Sequence, residues 1–139
     1  MKKLLLIFAM ISLFSSCQEE GDLTRDKLNT TTVSPVSTLK FKGVFAPTSG
    51  ITVAGGVKIY LDNNDYKLEL DNFSISSGPD LKVYLSKSST PTEFVNLGNL
   101  TSKTVYVIPD AVDISLYKYA IIHCQQYNHT FAIAQLNQN

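Results

Sequence analysis

Hydrophobic and polar residues alternate in short runs from Leu39 onward, and turn-forming residues separate the runs. Because successive side chains of a strand point to opposite faces of a sheet, each run predicts a β-strand with one buried face. About seven such strands, with no long amphipathic helix between them, predict an all-β fold, specifically an antiparallel β-sandwich. The runs comprise Leu39, Phe41 and Phe45; Val57, Ile59 and Leu61; Leu68 and Leu70; Leu81, Val83 and Leu85; Val105–Ile108; Tyr117–Gln126; and Thr130–Leu136.

The segments between the runs carry the residues that turns require. Asn and Asp tolerate left-handed backbone and bond their own main chain, while Gly and Pro favour tight turns. Gly55 and Gly56 lie inside a strand pattern, which predicts a bulge or bend. We expect a loop from Ser86 to Pro91 and a helical turn within 111–116. The predicted turns are Pro47–Gly50, Asp62–Asp65 and Gly78–Asp80.

The first residues of the chain are typical of a secretion signal. Two lysines precede an apolar run, Leu4–Phe14, which is followed by two serines and Cys17. The run is shorter than the roughly 20 apolar residues of a membrane-spanning helix. The five residues that end at Cys17 resemble a bacterial lipobox, although Phe14 stands where Leu is usual. We therefore predict a lipoprotein signal at 1–16 that is cut before a lipidated Cys17; the alternative is a soluble secreted protein that retains the thiol.

Residues 18–38 are polar and lack a hydrophobic period, so we predict a flexible tether at 17–38 and a β domain at 39–139. Several acyl chains on Cys17 would hold the protein on a membrane stably. Gln18 is not the Asp that resembles an inner-membrane retention signal, which favours the outer membrane. The acidic Glu19 and Glu20 resemble a stretch that routes some lipoproteins to the cell surface.

Composition excludes several classes of function. The chain has 139 residues, enough for one domain, with 12 basic against 12 acidic side chains. This balance argues against a nucleic-acid-binding protein, which usually carries a basic excess. Hydrophobic residues make up 44% of the chain, a fraction typical of a folded globular domain.

The cysteines supply the most specific chemical observation. The chain contains two cysteines, and lipidation of Cys17 leaves Cys124 without a partner in an oxidising compartment. Cys124 is then a buried small hydrophobe, a redox-active or ligand-binding thiol, or one half of an intermolecular disulfide.

Two histidines lie close to Cys124 in sequence. His123 points to the opposite face of a regular strand and cannot touch the thiol. His129 is the candidate modulator of the thiol, because a two-residue loop at 127–128 places it diagonal to Cys124 on the same face. An imidazolium there would lower the thiol pKa. A three-residue loop would break this register, and the absence of Gly disfavours the tight turn. The alternative is a solvated turn residue.

Other kinds of site receive little support. Two His and one free Cys lack the spacing of a zinc site, and no Ser–His–Asp group or Gly-rich phosphate loop is present. We therefore expect an accessory protein rather than a stand-alone enzyme, with no evident cofactor. A haem or metal carrier that uses His123 or His129 is a third option. The seven tyrosines could stack on sugars, but alternating aromatic residues in strands usually serve packing.

Several stretches together resemble the DM-thirteen domain, an electron-transfer module, over about Phe41 to Leu136. The most distinctive is Gly78-Pro79-Asp80-Leu81-x-Val83-Tyr84-Leu85. The others are Phe41-x-Gly43-x-Phe45, Val53-Ala54-Gly55-Gly56-Val57-x-Ile59, Leu68-x-Leu70-x-Asn72-Phe73, Ala120-Ile121-Ile122-His123-Cys124-Gln125-Gln126-Tyr127 and Phe131-Ala132-x-Ala134-x-Leu136.

The resemblance implies a β-sandwich with a redox-active cysteine that matches Cys124. Proteins with this domain also carry DOMON modules, which bind haem or sugar, and membrane b-type cytochromes. His123 stands where an aromatic residue is expected, and Ala132 where a Gly is expected. We therefore expect a lipid-anchored envelope protein that exchanges electrons with an envelope redox partner. The alternative is a non-catalytic surface binding or adhesion module that uses the loop around Ser86 to Gly98.

Overall fold

The computed structural model describes residues 31–139, which form an all-β domain with strands that pair only in antiparallel fashion. One short 3₁₀ turn, Ile114–Leu116, interrupts the strands, and Asp113 caps it. The all-β antiparallel class is therefore confirmed. Within these residues the nine strands are β1 (Thr38–Pro47), β2 (Val53–Asp62), β3 (Asp65–Ile75), β4 (Leu81–Ser86), β5 (Phe94–Asn99), β6 (Val105–Val107), β7 (Tyr119–Cys124), β8 (His129–Gln135) and β9 (Asn137–Gln138).

The strands form one nearly closed, barrel-like sheet whose two halves share β1. Their order is β5-β4-β7-β8-β1-β2-β3-β6, and β9 pairs with β1. Strand β1 joins the two halves, because its first part pairs with β2 and its last three residues, from Phe45, pair with β8. The hydroxyl of Tyr106 in β6 donates a hydrogen bond to the Asn99 carbonyl oxygen at the end of β5, 3.0 Å away. This contact links the two outermost strands of the sheet.

The barrel interior is filled by the alternate residues that the hydrophobic pattern marks. The inward residues of β2, β4 and β7 are aliphatic and almost completely excluded from solvent, which is the main source of stability for a domain of this size. The fully buried residues of the interior, which also include one from β3, are among others Val57, Ile59, Leu68, Val83, Leu85, Ala120 and Ile122.

The bulge predicted at the paired glycines is confirmed. The β2–β3 register shifts between Ala54 and Gly56, and Gly55 has φ +91°. A Cβ atom on Gly55 would lie 2.4 Å from the Asn72 carbonyl oxygen, so only glycine fits there. This bulge bends the strand where β1 leaves β2 and turns toward β8.

Two elements differ from the sequence expectation. The loop expected around Ser86 to Gly98 contains β5, whose Val95 and Leu97 pack against the core. The hairpin between the last two long strands has a four-residue turn, Gln125–Asn128, instead of two residues. Among residues 31–139, no helix has the length and apolar character needed to cross a membrane. The predicted signal, Cys17 and most of the tether lie outside the described residues.

A candidate redox site on the β7–β8 hairpin

The β7–β8 hairpin brings Cys124 directly opposite His129. The predicted register, in which a two-residue loop made them diagonal neighbours, is therefore wrong. The longer turn forms because Asn128 adopts a left-handed conformation, φ +48°, and its amide donates to the Gln125 carbonyl. Directly opposite residues of an antiparallel pair lie on one face, about 5 Å apart at Cβ, so the two residues remain neighbours.

Cys124 is the last residue of β7, and its side chain is fully buried in the core. Leu81 lies opposite it on the other neighbouring strand, β4. Above this corner the Phe131 ring and the Leu81 side chain meet at Gly78, where a Cβ atom would lie 2.8–2.9 Å from both. Cys124 is a free thiol. The thiol therefore lies at the end of the barrel, in the same core cluster as Phe131 and with Leu81 opposite it.

His129 lies at the exposed rim of this corner. Its ring contacts Phe131 edge to face, with centroids 5.6 Å apart. Phe131 has no partner on β7, because the register shifts between the Ile122 and His123 pairs, and the extra residue swings its ring over the core. The imidazole is thus accessible to solvent, whereas the thiol of the residue opposite it is fully buried.

His123 lies on the outer face of the sheet, as strand alternation predicts. It is nearly buried, with its Nε2 atom 3.1 Å from Asn128 Oδ1 and its Nδ1 atom 3.1 Å from Thr130 Oγ1. Because an amide oxygen only accepts, Nε2 carries the proton and Nδ1 accepts from the hydroxyl. Burial lowers the pKa of His123, opposed in part by the Asn128 hydrogen bond. The neutral imidazole therefore clamps the turn that follows Cys124.

A row of stacked rings continues from His123 across the outer face. The Tyr84 ring stacks on the imidazole with centroids 5.3 Å apart, and Phe94 stacks on Tyr84 at 4.2 Å. Tyr84 is 2% exposed, whereas Phe94 is 43% exposed. We call these three residues the ring stack. It connects an exposed ring to the residue that precedes Cys124.

Other groups in the described residues do not assemble a familiar site. No group of three or more His, Cys, Asp or Glu side chains in residues 31–139 could hold a metal ion. A groove of about 720 Å³ lies outside β1–β3, and its lining includes Lys42, Val44, Lys58, Asp71, Asn72 and Gln135. Its charged and amide groups could bind a polar ligand.

Sequence reasoning missed the ring stack. Tyr84 and His123 both occupy outward positions of their strands, which the alternation pattern indicates. Their contact, however, depends on β4 lying beside β7, and β5, β6 and the 3₁₀ turn come between these two strands in the chain. The periodicity of a sequence does not show which distant strands become neighbours, so this contact could not be predicted.

A family model described as Electron transfer DM13 matches residues 45–136, which is more than half of the chain. The match covers β1 from its junction with β8 onward and ends just after β8, so it includes the hairpin with Cys124. No curated protein and no solved structure matches the chain. The chain belongs to the electron transfer DM13 family.

Proposed function

We propose that this protein is a lipid-anchored electron-transfer component of the cell envelope in which Cys124 is the redox group. The observation that carries the proposal is the free thiol at the end of β7, directly opposite His129. Membership of an electron-transfer family supports it. Attachment through Cys17 and a location at the outer membrane are parts of the same proposal, and an envelope redox protein is its partner.

Access to the thiol requires a local opening. Cys124 is fully buried, and the turn beside it is held by the Gln125 amide, which donates to the Asp80 carbonyl at 3.0 Å, and by the 3.1 Å contact between His123 Nε2 and Asn128 Oδ1. Short segments at the ends of strands open at a lower free energy than the core of a domain. Opening exposes the thiol beside the His129 imidazole, which takes its proton and leaves a nucleophilic thiolate.

The thiolate then reacts with its oxidant in one of two ways. With a disulfide partner, the Cys124 sulfur attacks one sulfur, a mixed disulfide forms, and the second sulfur leaves as a thiolate that takes up a proton. With a peroxide, the sulfur takes one oxygen, the O–O bond breaks, and water leaves after protonation, which yields a sulfenic acid. The peroxide thus takes two electrons from Cys124. The disulfide exchange instead raises the oxidation state of the Cys124 sulfur by one and lowers that of the departing sulfur by one, so it needs no further oxidant.

The test compares Cys124 with a thiol moved deeper into the same strand. In the double variant Cys124→Ala with Ala120→Cys, the thiol stays on the inner face of β7 at a fully buried position, away from His129. We expect the native protein to form a peroxide-derived sulfenic acid at least about tenfold faster than the double variant, because its cover opens locally. Trapping followed by mass spectrometry measures the rate. Equal rates of sulfenic acid formation would mean that Cys124 is an ordinary core residue, and the redox proposal would be overturned.

A second candidate function is a binding module, and the groove outside β1–β3 favours it. Lys42 and Lys58 lie opposite each other there, and only Lys58 has an ion-pair partner, Asp71, among the ion pairs of residues 31–139. The groove therefore suits an anionic or polyhydroxylated ligand.

Two exposed valines supply a matched test of the binding function. Val44 lines the groove and is 77% exposed, whereas Val36 is 82% exposed and lies outside it. Binding to a panel of envelope glycans should fall with Val44→Glu and persist with Val36→Glu and with Cys124→Ala. Loss of binding with Cys124→Ala alone would instead favour the redox function.

A further inference from the structure

We propose that Tyr84 is a redox-active residue and that the ring stack of Phe94, Tyr84 and His123 carries single electrons from Cys124 to a one-electron metal oxidant docked at Phe94. The inference rests on the proposed function, because Cys124 is the source of the electron. It adds a second route of oxidation, with a different partner chemistry from peroxide or disulfide.

The geometry of the stack carries the proposal. Phe94 is the exposed end, and its ring is nearly parallel to that of Tyr84, with an interplanar angle of 17°. The Tyr84 and His123 rings are also nearly parallel, at 25°. Electron transfer falls steeply with distance, so rings in contact conduct better than separated ones. From His123 the remaining path to Cys124 is a single peptide unit of the chain.

The setting of Tyr84 suits a transient radical. The ring is 2% exposed, which protects an oxidised phenol from solvent reactions. Burial raises the pKa of Tyr84, and the Lys82 charge opposes this effect. The phenol therefore carries its proton at neutral pH and must lose it on oxidation. The negative charge of Asp80, which forms an ion pair with Lys82 at 2.8 Å, also raises the pKa of Tyr84.

Each step conserves electrons and protons. The metal oxidant accepts one electron from Tyr84, the phenolic O–H bond breaks, and the proton passes to water. When the hairpin corner opens, Cys124 gives one electron through His123 to the Tyr84 radical, its S–H bond breaks, and its proton passes to the His129 imidazole. Tyr84 recovers a proton from water. The net change is one reduced metal centre, one thiyl radical at Cys124 and one protonated His129.

A light flash provides the test with the full-length protein under anaerobic conditions. A tris(bipyridyl)ruthenium(II) complex and a sacrificial quencher generate the ruthenium(III) oxidant, and a spin trap with mass spectrometry measures oxidation of Cys124. We expect Tyr84→Phe, which retains the ring, to lower the yield per flash at least about tenfold. Tyr117→Phe is the matched control, because Tyr117 lies near the β4–β5 loop at Lys87 but outside the stack. It should leave the yield unchanged.

A second measurement follows the radical itself. In Cys124→Ala the electron source is absent, so a tyrosyl radical should persist longer after the flash, and Tyr84→Phe in that background should remove it from the electron paramagnetic resonance spectrum. If the yield of oxidised Cys124 per flash is the same in Tyr84→Phe as in the native protein, the relay is overturned. If peroxide still oxidises Cys124 at the native rate in that variant, the proposed function stands. If neither peroxide nor ruthenium(III) oxidises Cys124 in the native protein, the proposed function is overturned as well.

Discussion

Each end of the barrel buries one side chain that carries a charge or a reactive group, and the surroundings of these two side chains differ. At the end where β2 meets β3, buried Asp62 accepts from Lys67 Nζ at 2.8 Å and from the Ser34 amide at 3.0 Å. We call this the ion-pair end. At the other end, which we call the thiol end, Cys124 is buried beneath neutral groups, with no ion pair to its sulfur among the described residues.

This difference gives the two ends of the barrel different structural roles. The ion-pair end binds the segment that enters the domain, because Lys67 also donates to the Thr32 carbonyl at 3.1 Å. Asp62 Oδ1 remains buried without a partner, so this end depends on its remaining bonds. The thiol end is closed by apolar side chains and by the turn at Gln125–Asn128. Unlike the ion-pair end, it can open without pulling a positive and a negative charge apart.

The largest expected effect concerns the ring that covers Cys124. Phe131→Ala removes a nearly buried aromatic side chain and should lower the free energy of unfolding by about 3–5 kcal/mol. It should also raise the rate at which Cys124 reacts with a thiol reagent under native conditions. Urea unfolding and timed alkylation measure the two effects.

Phe131→Leu is the matched control for that prediction. It retains most of the apolar cover, so we expect a loss of about 1 kcal/mol and little change in alkylation. If alkylation of Phe131→Ala stays as slow as in the native protein, the thiol end is sealed by something other than this ring, and the contrast between the two ends is wrong.

The strands of the barrel could be predicted from sequence where alternation was strong, but not where flanking residues obscured it. Val95 and Leu97 alternate in β5, yet Ser, Thr and Pro precede them and Gly98 follows, so the segment resembled a loop. The closure of the sheet depends on which distant strands pair. Hydrophobic period alone does not determine that pairing, so it does not distinguish a sandwich of two sheets from a nearly closed, barrel-like sheet.

The candidate site was predictable in its residues and not in its geometry. Alternation alone placed His123 and Cys124 on opposite faces. The Cys124–His129 register depended on turn length, and the turn reached four residues because Asn128 accepts a left-handed conformation without glycine. The bulge at Phe131, which moves this ring over the thiol, leaves no clear mark in the sequence.

A smaller effect is expected at the ion-pair end. Asp62→Asn keeps the shape of the side chain and removes its charge, so Lys67 loses its ionic partner and the Ser34 amide loses a charged acceptor. We expect hydrogen exchange at Ser34 to accelerate about tenfold, as for the loss of a hydrogen bond to a charged group. Nuclear magnetic resonance measures the exchange rate.

Asp71→Asn is the matched control at an exposed ion pair, because Asp71 is 2.9 Å from Lys58 and its side chain is 37% exposed. Exposed pairs contribute little to stability, so this variant should behave like the native protein. Equal exchange at Ser34 in both variants would show that Asp62 does not hold the entering segment.

The smallest expected effect is a difference in the pH at which each end of the barrel loses stability. Burial lowers the folded-state pKa of His123, so its contribution is present above the unfolded value of about 6.5 and is lost as pH falls toward the folded value. The hydrogen bond from Lys67 lowers the pKa of Asp62, so its contribution is lost only below about 3.9. Acidification should therefore weaken the thiol end first.

Hydrogen exchange against pH tests this order. Between about pH 6.5 and 4, the amides of Asn128 and Thr130 should exchange progressively faster after correction for intrinsic rates, while the Ser34 amide stays protected. His123→Gln removes the titrating group and should abolish the change, whereas the exposed His129→Gln should retain it. Simultaneous loss of protection at Asn128 and Ser34 would mean that the barrel opens as one unit, and local access to Cys124 would then have no structural basis.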